Sequence, residues 1–119
     1  MAQTIEIVAG EAAYPIELLE NDAAEALVER LPMRVKFEDF GSTERIAYLD
    51  GKLEVGASPT STTPQAGDLA YYMPWGNLAV FVKPFRRSEG LVPLGRLSEA
   101  ALEAVKHSGD AMTTLQAKK

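Results

Sequence analysis

The stretch Gly67–Val82, "GDLAYYMPWGNLAVFV", holds two of the four tyrosines, the single tryptophan and a phenylalanine. Successive side chains of a strand point to opposite faces, so Leu69, Tyr71 and Met73 fall on one side and Ala70 and Tyr72 on the other. Only one of the two adjacent tyrosines can enter a protein interior. The other lies outside, where an apolar ring with a polar tip suits a covered or ligand-bearing surface. Between "DLAYYM" and "LAVFVK" stands "PWGN", in which Pro74 fixes its own φ and Gly76 accepts a positive one. The stretch therefore reads as a hairpin, with Trp75 in its turn.

Strand patterning continues on both sides. "TIEIVA" places Ile5 and Ile7 on one face and, after the "GEAA" turn, "YPIELL" resumes an extended pattern, giving a first hairpin. "MRVKFEDF", residues 33–40, alternates Met33, Val35 and Phe37 against Arg34, Lys36 and Glu38, the period of one half-buried strand. "TERIAYL" is a further strand, and Asp50-Gly51 suits a tight hairpin turn with "KLEV" as its short return. Residues 56–66, "GASPTSTTPQA", have no periodicity and read as an irregular surface loop, either functional or a plain crossover. "LVPLGRL" is a strand in which Pro93 demands an edge or a bulge. "DAMTTLQ" closes the chain.

Only two segments carry a helical period. Asn21 or Asp22 can cap a helix over residues 22–31, whose Ala24, Leu27, Val28 and Leu31 share a face and which Pro32 ends. Ser98 caps a second over residues 98–108, with Ala101, Leu102 and Val105 on one face and Lys106 and His107 near its C-terminal dipole. Eight or nine short strands with two helices imply an all-β barrel, because closing the sheet removes its exposed edges, with the helices over the open ends.

The totals fit one such domain spanning residues 1–119. At 12.9 kDa, with 46% hydrophobic and 24% charged residues, the composition is that of an ordinary globule. Seventeen acidic against twelve basic side chains leave a net charge of −5, which disfavours a phosphate backbone, so no nucleic-acid partner is expected. The N-terminal "MAQTIEIVAGE" has no basic n-region or signal-length apolar run, and no span of membrane length occurs, so a cytoplasmic protein with no membrane partner is expected. Cysteine is absent and His107 is the single histidine, so neither a thiol nor a zinc site is expected. No glycine-rich phosphate loop or Gly-x-Ser-x-Gly elbow occurs, and no cofactor is expected.

The order of elements, with "LPMRVKFEDFGSTERI", "GDLAYYMPWGNLAVF" and "LVPLGRLSEAALEAV", resembles the small bacterial and archaeal family of cyclophilin-like proteins without an assigned function. The likeness runs from about Thr4 to Leu115 and is most specific over Gly67–Leu69, Tyr71-Tyr72, Pro74–Asn77, Phe81 and Leu94-Gly95. It implies a closed eight-stranded barrel with a helix over each end. Cyclophilins that isomerise prolyl bonds carry an arginine in a Phe-His-Arg strand, and this sequence has neither that motif nor Gln-Gly-Gly-Asp. Arg34 and Arg45 lie on strands of similar order, but neither is in a matching motif.

Prolyl isomerisation needs an apolar pocket for the ring and a donor for the twisted amide. Tyr72, Trp75 and Phe81 can supply the first, and Arg34, Arg45 or Arg86 the second. Phe81 reads first as barrel core, and Trp75 reads equally as a cover over the barrel mouth or a site wall. Glu38, Asp39 and Glu44 cluster at the Gly41 turn, where paired carboxylates can do acid–base work or simply face water. Arg86-Arg87 read as a solvated turn. The residues thus point to an aromatic surface of Tyr72, Trp75 and Phe81, flanked by Arg34, Arg45 and Glu44, for a small molecule or extended peptide. A prolyl isomerase and a homo-oligomer contact through the Trp75 turn remain as alternatives.

Overall fold

The computed structural model describes residues 3–118. β1 (Thr4–Ala9) and β2 (Ala12–Leu18) form the first hairpin, and α1 (Asp22–Glu29) follows. Asn21 is its cap, accepting from the Ala24 amide at 2.8 Å. Asp22 instead accepts from the Ala57 amide at 2.9 Å, and Ser58 Oγ accepts from the Ala23 amide at 2.8 Å. The first turn of α1 is thereby tied to the long loop. β3 (Met33–Lys36), β4 (Glu38–Phe40) and β5 (Glu44–Tyr48) come next.

After β6 (Ser61–Thr62), β7 (Asp68–Tyr72) and β8 (Asn77–Phe81) make the expected hairpin. β9 (Ser88–Glu89), β10 (Leu91–Leu97), α2 (Glu99–Lys106) and β11 (Met112–Ala117) complete the order. Ser98 caps α2 through the Ala101 amide at 3.0 Å. Neither eight-residue helix, nor any other among the described residues, is long and apolar enough to cross a membrane.

Nine strands form one sheet in the order β3-β11-β1-β2-β10-β7-β8-β5-β4, and β6 pairs with β9 separately. Its two end strands, β3 and β4, are consecutive in the chain with only Phe37 between them. The first pairs with β11 and the second with β5, so the sheet curls into a nearly closed barrel. "MRVKFEDF" is thus a strand bent at Phe37, and counting both halves as one recovers the eight positions expected. The bend leaves the Phe37 carbonyl without a ladder partner, and Arg45 Nη2 donates to it at 3.1 Å.

The barrel interior is filled by Ile5, Ile7, Ile16, Leu18, Val35, Phe37, Leu69, Tyr71, Leu78, Val80, Val92, Leu94 and Leu115, joined by Ala23, Ala24 and Leu27 of α1 and Ala101 and Val105 of α2. Each of the larger aliphatic side chains contributes about 1.5–3 kcal/mol by its burial. The helices therefore belong to the same core as the strands.

Two local expectations change. "KLEV" is not a strand: Leu53 turns into the core and its amide donates to the Tyr71 hydroxyl at 3.0 Å, so a side chain takes the place of a ladder partner. Arg30 donates to the Asp50 and Gly51 carbonyls and holds that turn against α1. Pro93 lies in a central strand, between β2 and β7, and is tolerated because the register slips between Pro93 and Gly95. Gly95 is required there, since a Cβ would fall on the Glu17 carbonyl oxygen and within 2.9 Å of Leu18 Cα.

Candidate functional site

The alternation that sends Leu69, Tyr71, Leu78 and Val80 inward puts Ala70, Tyr72, Asn77, Ala79 and Phe81 on the outer face of the β7–β8 hairpin. Ile46 from β5 and Leu91 from β10 share that face, and with Ala70, Ala79 and Phe81 they form a second buried apolar cluster. Phe81 is therefore buried, but outside the barrel interior, where the order of its strand had first suggested core. Tyr71 is the inward tyrosine and Tyr72 the outward one.

Ile46, Phe81 and Leu91 of this cluster form the floor of a groove of about 390 Å³, within the usual range of small-ligand sites. Phe40, Tyr72 and Trp75 wall one side. The Trp75 ring meets Phe40 edge-on at a centroid distance of 5.3 Å and Tyr72 at 5.7 Å. The segment from Phe85 to Leu91 walls the other, with Phe85 stacked on Phe81 at 6.3 Å. The Phe85 amide donates to the Pro64 carbonyl at 3.1 Å and the Gly90 amide to the Thr60 carbonyl at 2.8 Å, so the wall is laced to the long loop. Trp75 remains 51% exposed, and Phe40 beside it 45%. Burial in a folded chain does not account for two aromatic rings standing open beside an apolar floor.

The polar groups in the groove are few. Glu44 is half-buried, and it is the cross-strand partner of Phe40 in β4 and of Phe81 in β8. Directly opposed residues have Cβ atoms about 4.5–5.5 Å apart, so its carboxylate emerges between two aromatic rings. It makes no hydrogen bond or ion pair among the described residues, and burial pushes its carboxyl above the ordinary 4.5. Asn77 is only 1% exposed; its Nδ2 donates to the Leu78 carbonyl at 3.1 Å and its Oδ1 has no partner. Arg86 lies over the Phe85 ring at 4.6 Å, and Arg87 Nη2 donates to Ser61 Oγ at 2.6 Å.

Of the six residues singled out from the sequence, Tyr72, Trp75, Phe81 and Glu44 line this groove, whereas Arg34 and Arg45 do not. Arg34 is exposed on β3, opposite Thr114 of β11. Arg45 is buried and donates to the carbonyls of Phe37, Val105 and Gly109 and to Ser108 Oγ, with Asp39 3.0 Å from Nε. Its two Nη groups fasten the bent strand to the C-terminal end of α2, while Nε, buried, faces Asp39 as an ion pair without a hydrogen bond. Glu38 and Asp39 are exposed. Phe40, Asn77 and Phe85 are lining residues that the sequence reading passed over; strand parity placed Phe40 with Glu38, while Phe85 sits in a segment without period.

A model of the cyclophilin-like family matches residues 7–116. The chain belongs to the cyclophilin-like family. The solution structure of a hypothetical protein from Archaeoglobus fulgidus superposes with a TM-score of 0.67 at 20% identity, covering 98% of this chain and 95% of that one. At that identity the likeness concerns the fold alone. Among curated proteins nothing matches the chain.

Proposed function

We propose that this cyclophilin-like domain binds a small molecule or a short extended peptide in the outer-face groove, against Tyr72, Trp75 and Phe81. The observation that carries the reading is the convergence of Phe40, Tyr72, Trp75, Phe81 and Phe85, from separate strands, a turn and a loop, on one apolar floor. The groove touches β8 at Asn77 and Phe81, and the four residues of rise between them amount to about 13 Å, the span of a short extended segment or a two-ring molecule. The simplest test uses Trp75, the single tryptophan. Excited selectively, it should be quenched readily by iodide in the free protein and shift its emission on addition of 2-phenylethanol, and Tyr72→Ala should abolish that shift. A quencher-resistant, blue-shifted tryptophan that ignores the probe would end the reading.

Prolyl isomerisation is the second reading, favoured by one observation: Arg86 and Arg87 bring guanidinium groups to the aromatic groove. Both are already engaged, one over Phe85 and one on Ser61, and Arg45 is committed to the fold. Loss of one preorganised donor typically costs about 10²–10³ in rate. Turnover of a standard Xaa-Pro peptide should accordingly be at least about a hundredfold below that of an active cyclophilin. Turnover within tenfold would restore the isomerase, and Arg86→Ala and Arg87→Ala would then show which side chain is used.

A further inference from the structure

Among the described residues, Glu44 and Glu89 are charged groups of the groove with no side-chain partner, and of the two Glu44 is the half-buried one. Arg86 and Arg87, the cations nearest in the lining, are held by Phe85 and Ser61, and no ion pair joins either to Glu44. A half-buried carboxylate between Phe40 and Phe81 carries a desolvation penalty without the partner that would offset it. Aromatic faces attract cations, and a desolvated site strengthens both that attraction and a charge-assisted hydrogen bond to the carboxylate. The second unpartnered polar atom of the lining, Asn77 Oδ1, is also an acceptor. The carboxylate of Glu44 and Asn77 Oδ1 are thus both acceptors that a donor on the ligand would satisfy.

We infer that the groove takes a primary organic ammonium carried on an apolar or aromatic body, the ammonium on Glu44 between Phe40 and Phe81 and the body against Tyr72 and Trp75. This rests on the groove being a binding site at all, and it adds the chemical class of the ligand. Alkali cations lack the apolar body that the floor selects. Carboxylates would face Glu44 and Glu89 in the same lining, and of the two arginines there Arg87 already donates to Ser61.

The test compares phenethylamine, 2-phenylethanol and 3-phenylpropionate, which share an aromatic body and differ in head charge, by titration of Trp75 emission. Phenethylamine should bind about tenfold or more tightly than the alcohol, and Glu44→Gln should remove that advantage so that the two bind alike. Its affinity should also rise with pH as Glu44 loses its proton. The other charged groups lining the groove are Arg86, Arg87 and Glu89, and Glu44→Gln separates the contribution of Glu44 from theirs. Nα-acetyl-lysine amide, which carries an ammonium on a peptide unit without an aromatic body, should bind more weakly than phenethylamine; equal binding would make a peptide lysine the source of the ammonium. Equal affinities for amine and alcohol, or tightest binding of 3-phenylpropionate, would overturn the ammonium assignment and leave the groove as a site. Silence of Trp75 toward all of the aromatic probes would overturn both.

Discussion

Tyr71 and Tyr72 are neighbours in sequence and have opposite fates: one hydroxyl is buried and receives the Leu53 amide, the other ring walls the groove. Strand parity made that split legible from the sequence, although it could not say which tyrosine turned inward. The same parity hid the role of Phe81, because an outward side chain on a central strand is buried when a loop crosses over it, and the loop from Phe85 to Glu89 has no period to read. At Glu44, the raised titration has a consequence for stability. Its carboxyl binds a proton more readily in the folded than in the unfolded chain, so ionisation works against folding, and the penalty develops as pH rises from the ordinary 4.5 through the raised value. Glu44→Gln should therefore be at least as stable as the parent at pH 7, with its advantage shrinking to nothing in acid below that window. Urea midpoints measured across the range would show it, and a variant less stable at pH 7 than at pH 4, relative to the parent, would contradict the assignment of burial as the cause.

At the scale of elements, the strands with clean alternation and the two capped helices were readable because their local chemistry agrees with their tertiary role. Where local and tertiary demands diverge, the sequence misleads. "KLEV" has strand composition but finds no free ladder partner, and "MRVKFEDF" alternates as one strand yet must serve β11 with one half and β5 with the other. Arg45 is what makes the second arrangement tenable. It satisfies the Phe37 carbonyl at the bend and the Val105 and Gly109 carbonyls at the end of α2, a role no motif announces because its partners are backbone atoms far away in sequence. Arg45→Ala should leave those buried acceptors unpaired and destabilise the fold by about 3 kcal/mol or more, read as a lower urea midpoint. Arg34→Ala, on the exposed face of β3, should change stability by no more than about 0.5 kcal/mol. Equal effects of the two substitutions would dismiss the clamp.

For the whole molecule, the barrel and its two helices form one core on the inside, and the β7–β8 hairpin builds a second apolar face on the outside. The family resemblance carried the fold and was silent on the ligand, which has to be argued from that outer face. Tyr48, 54% exposed and the cross-strand partner of Asn77 on the sheet's outer face, extends the aromatic area beyond the groove, and self-association through the Trp75 turn would cover it. The measurement that tests the central claim most directly is a ¹⁵N chemical-shift map of the protein with 2-phenylethanol and with a short Xaa-Pro peptide. The account predicts shifts concentrated at Phe40, Glu44, Tyr72–Asn77, Phe81 and Phe85–Leu91, including the Trp75 indole N–H. Shifts centred instead on the polar cavity of about 330 Å³ beside α1, lined by Leu18–Asp22, Glu25 and Val28, or spread without a focus, would contradict it.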